Sequence, residues 1–271
     1  MARLLTLLFL LLPTAASATT VDELIEGLNG LVEVVGASPA TRADYERFVA
    51  RHDLTAREAL YVDFVKVKIA FEATRAGGFW AVQWTITNQE PQSDAIWDRW
   101  SRMRGPYDDW PTAQAECDEL SALFAFVGRR MGVDGLGLLW PTWNHTVAVW
   151  TVDGVRVVVP TSQIFLDATE SFDTADFDPW AQKTIYTYTR EDAAGSMELR
   201  DDVAAWMLDR VRKQAPASTR TLQFVRNLRE LRLAGLASER QVKWKAEERL
   251  GEDLPAEDTA AVAAFLEELN R

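Results

Sequence analysis

The chain reads as an α+β fold on three observations. Apolar residues recur at helical spacing through residues 21–76 and again through 196–270. Thr112 to Met131 carries Cys117, Leu120, Phe124, Val127 and Met131 on one helical stripe. Then HTVAVWTV (His145 to Val152) and VRVVVPTSQIF (Val155 to Phe165) flank Asp153-Gly154, the pattern of two strands joined by a two-residue turn.

The elements follow in order. A first helix begins at Val21-Asp22-Glu23 and ends near Gly36; Thr41 is the expected cap of a second; a third runs from about Thr55 to Arg75 and stops at Gly77-Gly78. Residues 79–110 are rich in tryptophan (Trp80, Trp84, Trp97, Trp100, Trp110), with a short strand expected over 80–87 and a short helix over 94–104. Such rings pack cores through the large area each buries, or wall a groove for a sugar or peptide. The central helix is expected over Thr112–Met131 with Gly132 as its stop, and the glycine-rich 132–143 as a loop. In the hairpin a two-residue turn puts His145 opposite Ser162 and Val147 opposite Pro160. Proline has no N–H for a ladder, so the second strand is expected to bulge or end there. A short strand over 185–189 and helices over 196–213, 217–235, 238–250 and 256–270 complete the reading.

The first 18 residues look like a cleaved export signal. Arg3 precedes the apolar run Leu4 to Leu12, and Ala16-Ser17-Ala18 fits the small-x-small cleavage rule. That run is shorter than the roughly 20 residues a bilayer span needs. The expectation is an exported protein, periplasmic or secreted, with no stable membrane insertion after cleavage. A net charge of −12 argues against nucleic acid, whose phosphates require cationic neutralisation. One cysteine excludes an internal disulfide, and with two distant histidines it offers no zinc-type ligand spacing, so neither a metal nor a cofactor is expected. His52, beside Asp53 at a helix junction, reads as a cap or surface residue. Asn144-His145-Thr146 matches a glycosylation acceptor pattern that arises often by chance.

Cys117 and His145 stand in the order a thiol nucleophile and its base require. A thiol attacks as its thiolate, so its pKa must be lowered. The positive end of a helix dipole and a neighbouring imidazolium are the two expected devices. His145 at a strand's head can take the thiol proton and later protonate the leaving group. Oxyanion stabilisation is expected from the Cys117 amide and one further donor, Gln114 being preferred over Trp110 and Trp140.

The stretches Glu116-Cys117-Asp118-Glu119-Leu120-Ser121, Arg129-Arg130-Met131-Gly132-Val133, His145-Thr146-Val147-Ala148-Val149 and Val157-Val158-Val159-Pro160-Thr161 carry a resemblance. In that order they resemble the transglutaminase-like branch of the papain-like fold, over residues 110–167. The resemblance implies a Cys-bearing central helix packed on a small antiparallel sheet, an acyl-enzyme mechanism on amide or peptide bonds, and an aspartate just before the Pro-Thr pair. Here that position is Val159, which cannot hydrogen-bond an imidazole. Ser162, Gln163 and Asp167 are nearby polar substitutes, with Gln163 preferred over Asp167 as the residue orienting His145.

The expected organisation is a signal peptide (1–18), an N-terminal helical region (19–76), a transglutaminase-like core (77–190) and a C-terminal helical region (191–271). The expected function is an exported thiol enzyme that hydrolyses amides or transfers their acyl group, on a peptide or protein substrate such as a cell-wall peptide. The alternative is an inactive exported binding module of the same fold that uses its Trp-rich surface. Oligomeric state is not legible.

Overall fold

The computed structural model describes residues 18–86, 93–107, 109–142, 145–162, 185–186 and 195–271, with backbone alone at 140–142 and 185–186. It is mixed α+β, largely helical with small sheets.

Capping chemistry sets the first helices. Thr20 caps α1 (Val21–Gly30): its hydroxyl accepts the Glu23 N–H at 3.2 Å and the Glu23 carboxylate accepts the Thr20 N–H at 2.8 Å. The single helix expected to run to Gly36 is divided at Leu31, with α2 (Val32–Gly36) beyond it. Ser38, not Thr41, caps α3 (Pro39–Arg51), because Pro39 fills the first helical position without needing a partner for an N–H. His52 is the C-terminal cap of α3 and lies against Phe48.

Helix α4 (Glu58–Thr74) is buried around most of its circumference. Its exit turn is tight. Gly77 has φ +64°, and a Cβ on Gly78 would lie 2.5 Å from the Glu72 carbonyl oxygen. Beyond it, β2 (Val82–Trp84) pairs in parallel with β3 (Ala113–Ala115). Between them lies α5 (Asp94–Ser101), whose Trp97 and Trp100 meet Trp80 edge to face, all three fully buried. Those three tryptophans are therefore core.

The central helix α6 (Cys117–Arg130) starts five residues later than the expected Thr112, because 113–115 are drawn into β3. Residues expected as a loop contribute β4 (Leu136–Thr142), antiparallel to β5 (His145–Val152), which in turn pairs with β6 (Val155–Val159). Sheet pairing overrides the local glycine and proline signal there. With β7 (Ile185–Tyr186) the strand order is β6-β5-β4-β7. The hairpin register is the expected one: Val152 pairs with Val155 and Ala148 with Val159, with Asp153 and Gly154 both at positive φ in the turn.

Helix α6 covers one face of this sheet. Leu136, Leu138, Ala148, Trp150, Val157 and Val159 join the main core on that side. Leu139, Val147, Val149 and Val158 form a separate cluster on the other face. Strand β8 (Glu198–Arg200) pairs with β1 (Ala18–Thr20), so the helix expected from residue 196 begins only at α7 (Asp201–Gln214).

The main core runs from Val21 to Ala261 and takes in α7, while α8 (Thr219–Leu233), α9 (Glu239–Leu250) and α10 (Ala256–Leu269) share a second cluster. Buried cations, each in an ion pair, also hydrogen-bond across from α4 and its turn to the terminal helices. Lys68 Nζ donates to Asp44 Oδ2 at 3.0 Å, Thr41 Oγ1 at 2.9 Å and the Ala217 carbonyl at 2.8 Å. Arg229 donates to Glu268 and to the Gly77 carbonyl, the latter at 3.0 Å. Among the described residues no helix is long and apolar enough to cross a membrane.

Candidate active site

Cys117 is the first residue of α6 and is half-buried. It reaches that position because Ala113 and Ala115 bury as strand residues, leaving the chain to turn into the helix at Glu116. Its sulfur meets β5 where the hairpin opens. The ladder between β5 and β6 ends at Ala148–Val159, just before Pro160. Thr161 then turns its carbonyl to the Ala76 N–H at 2.9 Å. The Thr146 N–H, without a strand partner on that side, donates to Cys117 Sγ at 3.5 Å. That amide nitrogen is bonded directly to the carbonyl carbon of His145, so the sulfur lies against the backbone of the residue expected to be its base.

His145 is 6% exposed. It heads β5 beside the register shift between Leu139 and Thr142, where the simple alternation of Val147 and Val149 is interrupted. Val159 pairs with Ala148 and so occupies the α6 face. Ser162 Oγ is buried and has no hydrogen-bond partner among the described residues. Gln163 and Asp167 lie outside the described residues.

The electrostatics reverse an expectation. Burial, followed by the negative charges of Asp118 and Glu116, pushes the Cys117 thiol above its ordinary value. The Thr146 and Asp118 amides oppose that push without overcoming it. The positive end of α6 is already occupied by carboxylates. Glu119 accepts the Glu116 N–H at 2.7 Å and Asp118 accepts the Glu119 N–H at 2.9 Å. Burial drives His145 down to about 4. At neutral pH the pair rests as thiol and neutral imidazole, not as thiolate and imidazolium.

Gln114 is exposed in the middle of β3, with its amide donating to Gln83 Oε1 at 3.3 Å. With Trp110, Pro111 and the Arg99–Asp109 ion pair it lines an open groove of about 500 Å³. The structure turns it toward this groove and sets the Thr146 N–H, which sequence reasoning did not single out, beside the sulfur. Trp110 is the one tryptophan of its segment placed in that groove; the guanidinium groups of Arg210 and Arg232 lie 5.3 and 5.2 Å from its ring.

Two hydroxyls were also missed. Ser121 Oγ lies 2.6 Å from the Cys117 carbonyl and 2.7 Å from Thr161 Oγ1. Ser121 is the one polar side chain in the run Leu120–Gly128, four residues after Cys117, and that is a legible signal. Among the described residues no cluster of His, Cys, Asp or Glu is arranged to hold a metal ion. No family model, curated protein or solved structure matches this chain.

Proposed function

We propose that this chain is an exported thiol enzyme with a papain-like, transglutaminase-like core that acts on amide or peptide bonds through an acyl-enzyme. The observation that carries the reading is the meeting of Cys117 Sγ with the Thr146 amide, which brings the lone thiol against the head of the strand that begins with His145. A buried neutral imidazole is a competent base, because it can accept the thiol proton as the sulfur adds to the substrate carbonyl. The neutral resting pair places this proton transfer in the step of attack, not before it. The tetrahedral intermediate then expels the amine, which takes the proton from His145, and water or a second amine cleaves the thioester. The Cys117 amide, at the first position of α6 where helix geometry supplies no intrahelical partner, is the suitable oxyanion donor. Peptides, cell-wall stem peptides included, are the proposed substrates; export and the family resemblance support that class.

Acyl-enzyme capture tests the reading. The protein is mixed with p-nitrophenyl acetate at pH 7.5, quenched in acid and mapped by mass spectrometry. The expected result is one acetyl group on Cys117 with a matching burst of nitrophenol, absent in Cys117→Ser and at least tenfold slower in His145→Ala, within the range general-base assistance contributes. Equal acylation of Cys117 with and without His145 would refute the pair.

A second reading has its own support. Val159 and the raised thiol pKa suit a module that has kept the core without its chemistry, and the Trp110 groove then serves as its binding surface. An unreactive Cys117 together with peptide binding that Trp110→Ala abolishes is the outcome this reading predicts.

A further inference from the structure

The hydroxyls of Thr161 and Ser121 sit at the one point where α6, β5 and the end of β6 meet. Thr161 is 1% exposed and Ser121 0%. Each hydroxyl carries one proton, and their contacts assign its direction. Ser121 donates to the Cys117 carbonyl at 2.6 Å and so accepts from Thr161 Oγ1 at 2.7 Å. Thr161 is itself held through its carbonyl, which accepts the Ala76 N–H at 2.9 Å from the exit of α4. The Thr146 carbonyl is 3.5 Å from the same Ser121 oxygen. Water does not reach this point, so a missing hydroxyl is not replaced.

The sheet needs such a device here. At Pro160 the β5–β6 ladder ends, and nothing in the strand pairing then sets how far the first turn of α6 stands from Thr146. We propose that Thr161 and Ser121 form a positioning relay that holds the first turn of α6 against the open end of the hairpin and thereby keeps Cys117 Sγ on the Thr146 N–H. The inference rests on the Cys117–His145 reading for its importance to catalysis, but not for its geometry. The groups facing the sulfur are the Asp118 and Glu116 carboxylates and the Asp118 amide from α6 and its cap, and the Thr146 amide from β5, whose strand begins at His145. Of these, the Thr146 amide is the one that lies across the fold and whose distance the relay sets.

The experiment uses the full chain. Second-order rates of Cys117 alkylation by iodoacetamide are measured from pH 6 to 10, alongside thermal unfolding. Variants are Thr161→Val, which keeps the shape and removes the hydroxyl; Ser121→Ala; and Thr161→Ser, which keeps the hydroxyl. The expected result is a profile displaced to higher pH in Thr161→Val and Ser121→Ala, with rates at pH 7.5 about three- to tenfold lower through partial loss of one donor to a charged sulfur. Thr161→Ser should follow the wild type. A Thr161→Val profile that superimposes on the wild type, with only the melting temperature lowered, would overturn the proposal. So would faster alkylation at every pH, which is what a simple seal over the thiol would give. If Thr161→Val does not fold, Ser121→Ala, which loses a single oxygen, decides by the same criteria. His145→Ala separates the two ideas: an unchanged alkylation profile there counts against the thiol–imidazole pair and leaves the relay result standing.

Discussion

His145 gives the sharpest test of the site, because its burial has a consequence for folding as well as for chemistry. The imidazole ionises at about 6.5 when exposed and at about 4 in the fold. Below pH 6.5 the unfolded chain binds a proton that the folded chain refuses, so stability falls as pH drops toward 4 and loses nothing further from this group below that. Between pH 7 and pH 4.5 the two values, with partial access of water to the ring allowed for, imply a loss of about 2 kcal/mol. The assay is urea unfolding followed by tryptophan fluorescence at pH 7.0, 5.5 and 4.5, for the wild type and His145→Gln. Carboxylates titrate alike in both proteins, so the difference between the two pH slopes isolates the imidazole. The wild type should lose about 1 kcal/mol more than the variant by pH 5.5 and about 2 kcal/mol more by pH 4.5. Parallel pH dependences would show that His145 is solvated in the fold, and the account of a neutral resting pair would fall with it.

Other outcomes are expected away from the site. Lys68→Met leaves Asp44, which is 4% exposed, with the partly exposed Arg47 and the Thr219 amide as its partners among the described residues. It should cost about 3 kcal/mol in urea unfolding, the lower end of the range for breaking a buried pair because those partners remain. Gly78→Ala places a methyl 2.5 Å from the Glu72 carbonyl and 2.9 Å from that of Arg75. Backbone cannot yield as a side chain does, so about 3 kcal/mol and a clear fall in melting temperature are expected; an unchanged melting temperature would show that the turn is not as tight as described.

How far the sequence reaches is visible in particular residues. Helical spacing and capping residues located the helices, and Asp153-Gly154 determined the hairpin and its register down to the interruption at Pro160. These features are local: a turn that needs positive φ, a proline without an N–H, a stripe every third or fourth residue. The same local reading failed at 112–116 and 132–143, where strand partners distant in the chain converted an expected helix start into β3 and an expected loop into β4. The order of Cys117 and His145 was legible too. Their protonation states were not, because desolvation depends on what packs above a group and on carboxylates brought to the same helix end. What the amino acids determined by themselves is which groups are present and where the chain turns. What only the tertiary structure decided is that Thr146 offers its amide to the sulfur, that Val159 joins the core on the α6 face of the sheet, and that two buried hydroxyls join the helix to the hairpin. Each of these is a contact across the fold, and no local preference encodes the distance between its partners.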